Sequence, residues 1–221
     1  MTRRSVMSTI ITTDVETEMK TSKRHSSKTN MLTKSLLLSA SLTLLPLATV
    51  AAPSSYVIDT EGAHASINFK VNHLGYSWLT GRFNDFSGEY VYDPDKISNS
   101  KINVTIDTAS VNSNHAERDK HLRSDDFLNV KKYPKASFKS TSISGTQDNL
   151  EIKGNFTLNG VTKPITIQGE KIGEGKDPWG GYRSGFMGTT EFKMADYNIK
   201  KDLGPASGSV YLELHIEGIK K

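Results

Sequence analysis

The chain has 221 residues, 28 Lys/Arg against 24 Asp/Glu, and no cysteine. Its basic surplus belongs to the leader: residues 1–52 hold 7 Lys/Arg and 3 Asp/Glu, so residues 53–221 hold 21 of each and carry no formal net charge. A neutral domain lacks the long-range pull on phosphates that nucleic-acid binding rests on, and a chain without cysteine offers neither a disulfide framework nor a thiol nucleophile.

Residues 1–30 are polar and Ser/Thr-rich, with no apolar periodicity. "MLTKSLLLSASLTLLPLATVAAP" follows, with Lys34 as a short positive region, an apolar run from Leu36 to Leu47, and small residues before Pro53. That order predicts a secretory signal over 31–52, cleaved near Ala51 or Ala52. The apolar run is shorter than the ~20 residues a spanning helix needs; a core helix or an anchor is the other reading. Signals begin near a chain start, so Met31 is the expected start, and 1–30 a non-structural extension or a start-site artefact. No cysteine follows the signal to take a lipid, so the expected product is free of an anchor and periplasmic. Its 169 residues (53–221) suit one domain, enough to bury about 70% of the unfolded surface.

From here the signal is alternation. "ASINFKVNH" puts Ile67, Phe69 and Val71 on one face; "KINVTID" does so with Ile102, Val104 and Ile106. "NLEIKGNFTL", "KPITIQG" and "SVYLELHIEG" repeat the pattern, and weaker strands fall near 86–92, 136–143 and 183–193. Period two with one apolar face marks half-buried strands. Asn159-Gly160 between two such runs predicts a type I′ hairpin turn. Eight short strands imply a closed sheet or two facing sheets, which periodicity alone does not separate.

The stretch "NHAERDKHLRSDDF" (114–127) is the helical candidate, with Asn114 as its expected N-cap. Its His115, Glu117, Asp119 and His121 are metal-ligand types. Yet Glu117–His121 and His115–Asp119 are i,i+4 pairs that start two residues apart, so they do not share a helix face. A charged connector is the favoured reading; a metal-dependent enzyme using His115 and His121 is the alternative. "DPWGGYRSGF" lacks the spacing and the following helix of a phosphate cradle and reads as a tight hairpin, with Trp179 packed over one end of the sheet structure. No G-x-S-x-G nucleophile motif occurs.

"HLGYSWLTGRF", "HAERDKHLRSDDFLNVKKYPKASF", "LNGVTKP", "DPWGGYRSGF" and "DLGPAS", in that order, resemble the YceI family of periplasmic, lipocalin-like polyisoprenoid-binding proteins. The resemblance runs from about Tyr56 to the C-terminus. It implies an all-β, eight-stranded antiparallel lipocalin-like barrel with a short helical connector at "HAERDKHL". It implies an apolar pore holding a linear isoprenoid, with no enzyme activity and no cofactor beyond that lipid. The implied partners are the lipid itself and a membrane lipid or a quinone-using protein.

Parity nominates the pore residues. Ile67, Phe69 and Val71 face inward, with Phe138, Phe156, Phe186, Leu212 and Leu214 as bulky counterparts on other strands; plain core packing is an equal reading of each. His73 continues the inward parity and is expected near the mouth, where it can bond a polar head group. Tyr76 and Trp78 are expected to flank the opening.

Overall fold

The structure, a computed structural model, describes residues 52–221. The extension 1–30 and, apart from Ala52, the signal 31–52 lie outside the described residues. The strands are β1 (Ser54–Ile58), β2 (Ser66–His73), β3 (Ser77–Phe83), β4 (Phe86–Tyr92), β5 (Lys101–Asp107) and β6 (Val111–Asn112). Helix α1 (Ala116–Leu122) follows, then β7 (Lys135–Thr146), β8 (Asn149–Leu158), β9 (Val161–Lys176), β10 (Tyr182–Lys193) and β11 (Ser209–Lys220).

Alternation does what the sequence predicts. In β8 the side of Leu150, Ile152, Gly154, Phe156 and Leu158 is buried, and the residues between them are half-buried or exposed. Such a one-sided strand needs a partner face. Here the sheet supplies it by closing: β1 pairs antiparallel with both β4 and β11, completing the ring β1-β4-β5-β7-β8-β9-β10-β11. Closure removes the free edges that would otherwise template aggregation.

Among the described residues, eleven strand segments make eight walls. β1 and β2 lie end to end along β11, Ile58 opposite Gly218 and Ser66 opposite His215, with loop 59–65 between them. β4 and β3 run back beside them, with Glu89 opposite Val57 and Phe83 opposite Ile67. β5 and β6 are the third broken pair, β5 on β4 and β6 on β3, interrupted by a 3-10 turn at Thr108–Ser110. Asp107 caps that turn by accepting the Ala109 N–H at 2.9 Å. The Asn159-Gly160 turn has φ values of 48° and 77°, as a type I′ hairpin requires.

β6 pairs on one side only, with β3. Its other edge is covered by α1. Arg123 donates from Nε to the Ala109 carbonyl (2.7 Å) and from Nη2 to that of Val111 (2.6 Å). Arg118 donates from Nη2 to the Ser113 carbonyl at 2.6 Å and from Nε to Ser113 Oγ at 2.8 Å. The carbonyls of 109, 111 and 113 are alternate acceptors along one edge, and two guanidinium groups stand in for the missing strand. Asp119, buried, accepts the Ser113 N–H at 2.8 Å and its hydroxyl at 2.5 Å. The helix is therefore fastened to the barrel end by its own charged residues.

The expected N-cap is corrected. Asn114 sits at φ 62° with its N–H on Asn112 Oδ1, and His115 caps the helix, its Nδ1 accepting the Arg118 N–H at 3.2 Å. The chain must turn sharply out of β6 before the helix starts. Asn tolerates that left-handed turn, which moves the cap one residue on.

Candidate binding pore

The inward faces line two apolar chambers, one toward each end of the barrel. The chamber at the α1 end has about 340 Å³ in which the centre of a water-sized sphere can move; the other has about 120 Å³. Ile67, Ile106, Phe156 and Leu212 border both and form a waist. Two rings need glycine on the neighbouring strand: Phe138 reaches over Gly154 and Phe69 over Gly81, where a Cβ would collide with each ring.

Hydrogen-bonding groups in the narrower chamber are mostly spent. Tyr90 Oη donates to the Ser184 carbonyl at 2.7 Å, Thr190 Oγ1 to that of Thr166 at 2.8 Å, and Ser100 Oγ accepts the Asp93 N–H at 3.0 Å. Tyr92 Oη is the exception, buried without a partner among the described residues. Burial, with the charge of Glu174 nearby, raises its pKa. Lys171, its side chain 6% exposed, lies 4.6 Å over the Tyr92 ring and pairs with Glu174 at 3.0 Å, giving this end a charged margin.

The α1-end chamber opens among different groups. Its apolar wall includes Phe69, Val71, Phe127 and Leu203, and its polar members are His73, Arg118 and His121. His121 Nε2 is 2.8 Å from Asp126 Oδ2, and its ring meets Phe127 edge-on. That contact, with the charge of Lys201, holds the Asp126 carboxyl below its usual range.

The residues nominated by parity fall as follows. Phe138, Phe186 and Leu214 line the narrower chamber; Phe69, Val71 and His73 line the wider one; Ile67, Phe156 and Leu212 border both. Tyr76 and Trp78 line neither chamber. Tyr76 is 88% exposed on the β2–β3 turn. Trp78 lies on the outer wall, edge-on to Tyr211 at 5.4 Å and beside Lys70 Nζ at 5.1 Å. Its own strand carried the signal: Leu79, Gly81 and Phe83 are the inward series, so 78 must point out. Arg118, His121 and Tyr92 were not nominated, and parity cannot reach a side chain delivered by a connector.

His115 and His121 are spent on a cap and a carboxylate, so nothing favours a metal centre in α1. Asp59, His64 and Glu217 do bring ligand atoms within 4.8 Å of one another. The cation there is Arg183, whose Nη1 lies 2.5 Å from Asp59 Oδ2 and 2.6 Å from Glu217 Oε1, with Nε 2.9 Å from Asp177 Oδ2. His64 and then Arg183 hold the Asp59 pKa down at about 2. This network ties loop 59–65 to the β9–β10 turn. Trp179, expected to pack over that end, is instead 77% exposed with Arg183 stacked 5.5 Å from its ring. Asp177 accepts the N–H groups of Trp179 and Gly181, and so turns the loop outward.

A closed eight-stranded barrel around a narrow apolar bore, with one end latched by a short helix, defines a lipocalin-like protein. The YceI-like domain model matches residues 56–218, and the chain belongs to that family. It is 60% identical over 191 residues to the UPF0312 protein of Shewanella putrefaciens strain CN-32, a match covering 85% of this chain and all of that protein. Among solved structures it is similar to the YceI protein of Campylobacter jejuni, at 30% identity and TM-score 0.61, covering 69% of this chain and 91% of that one. A polyisoprenoid binding domain from Saccharophagus degradans, implicated in plant cell wall breakdown, shares the fold at 17% identity and TM-score 0.58, covering 76% and 99%.

Proposed function

We propose that the protein is a periplasmic binding protein that carries a linear polyisoprenoid, such as a polyprenyl chain or the tail of an isoprenoid quinone, and that it is not an enzyme. One observation carries the reading: two apolar chambers lie within one barrel and meet at a waist of Ile67, Ile106, Phe156 and Leu212 that borders both. Each buried CH₂ contributes about 0.8 kcal/mol, so a long tail needs a lined bore and few polar contacts. The waist selects a slender chain over a fused-ring lipid of equal size. The polar head sits at the α1-end mouth, within reach of His73, His121 and Arg118. The polyisoprenoid binding domain of Saccharophagus degradans, which has this fold, supports the ligand class. Export rests on the leader, whose cleavage near Ala51 or Ala52 N-terminal sequencing of the native protein would locate.

The test is solvent extraction and mass spectrometry of protein purified from its own host without detergent, with metal analysis of the same sample. The expected result is one linear isoprenoid species near one per chain, and less of it when Phe156→Trp fills the waist. A lipid-free protein, or a transition metal in the lipid's place, overturns the reading.

A further inference from the structure

The turn between β2 and β3 is built against local preference. His73, Leu74, Gly75 and Tyr76 form a two-residue turn closed by the Tyr76 N–H on the His73 carbonyl at 2.9 Å, with φ of 57° at Leu74 and 85° at Gly75. The first of those positions ordinarily takes Asn, Asp or Gly, and a leucine there is strained. It is also 56% exposed. Of the six large apolar side chains left exposed among the described residues, Leu74, Tyr76 and Trp78 sit within five positions of this one hairpin. Strain and exposure together, on an apolar side chain, point to a contact outside the fold.

The surroundings favour one kind of surface. Lys70 stands against Trp78, and the Leu74 N–H bonds Ser207 Oγ at 3.3 Å, which seats the tip beside the segment that carries exposed Lys200 and Lys201. The connectors of the α1 end (74–76, 113–134, 159–160, 194–208) hold seven Lys/Arg and six carboxylates, of which Asp119 is buried, so the lysines beside the tip stand in no net acidic field. Trp and Tyr with neighbouring lysines are the side chains that settle at a headgroup boundary. The tip is also continuous with the pore mouth, since His73 lines the chamber and Leu74 is the next residue.

We infer that the β2–β3 hairpin tip docks the α1 end of the barrel on an anionic phospholipid surface, with Leu74, Tyr76 and Trp78 in the headgroup region and Lys70, Lys200 and Lys201 on the phosphates. Docking turns the pore mouth toward the bilayer. It goes beyond the pore reading and fails separately from it, because the vesicles used to test it contain no isoprenoid.

The test is co-sedimentation with vesicles of phosphatidylglycerol and phosphatidylethanolamine, against phosphatidylcholine alone. Binding to the anionic vesicles is expected, weakened by salt, with brominated acyl chains quenching Trp78 in a Trp179→Phe background. Leu74→Asn, which suits the turn and so leaves the fold intact, is expected to weaken binding about tenfold, the scale of removing one large apolar contact. Lys200→Glu with Lys201→Glu removes the preference for anionic lipid. Equal binding to both vesicle types, no quenching, or binding indifferent to Leu74→Asn overturns the inference. So does a self-association that Leu74→Asn abolishes, which would assign the tip to a second copy of the chain.

Discussion

The charge clusters at loop 59–65 and in α1 are structural, and single residues show it. Asp59, in loop 59–65, and Arg183, at the start of β10, pair across 124 positions. Removing Arg183 leaves Asp59, Asp177 and Glu217 facing one another, and Arg183→Met is expected to cost about 2–3 kcal/mol, less than a fully buried pair because the guanidinium is 20% exposed. The acid response follows from Asp59. Its folded pKa, near 2, lies below the ordinary carboxylate value. Its contribution is therefore fully present above about pH 4 and lost as pH falls through 2. The stability gap between the parent and Asp59→Asn, read from urea midpoints, should shrink by about 1–2 kcal/mol between pH 6 and pH 2. A gap that does not change with pH would mean that Asp59 contributes by packing and not by charge.

Among elements, α1 is the one whose purpose changes between sequence and structure. As a sequence it offers metal-ligand types; as a helix it is an edge cover. Arg123→Ala removes two charge-assisted hydrogen bonds, to the Ala109 and Val111 carbonyls, and a loss of about 2–3 kcal/mol is expected, with faster amide exchange at Ser113. Arg123→Lys, a single point of charge, should recover only part of it. Unchanged exchange at Ser113 would show that the helix does not hold this edge. The strands were legible because a two-residue period survives in β2, β5, β8 and β11, and the weaker expected strands coincide with β4, β7 and β10. Less visible was that loop 59–65 and the turn at 108–110 interrupt single walls without ending them. Nothing local in "DTEGAHA" says that β1 and β2 share one partner. That information is held by β11, about 150 residues away. The site divides the same way: residues on continuous strands could be placed by parity, whereas Arg118 and His121 reach the mouth through a fold-dependent latch.

At the scale of the whole molecule, the pore sets a thermodynamic condition. An apolar bore with most of its hydrogen bonds already made attracts little water, so without a ligand its lining loses contacts that a close-packed core would have. A bound chain restores them. At a hundredfold excess over Kd a ligand adds about 2.7 kcal/mol, and in a domain of this size each kcal/mol moves Tm by about 2–4 °C. Delipidated protein is therefore expected to melt about 5–10 °C below the lipid-bearing form, and a linear polyprenol should restore the difference. A sterol of similar carbon count should not, because a rigid fused-ring body is bulkier in cross-section than a linear chain and would have to pass Ile67, Ile106, Phe156 and Leu212 to fill both chambers. Calorimetry on the same preparation with each lipid makes the comparison. Equal recovery by the sterol would mean that only the α1-end chamber is filled, and that the waist is core packing and not a selector of chain shape.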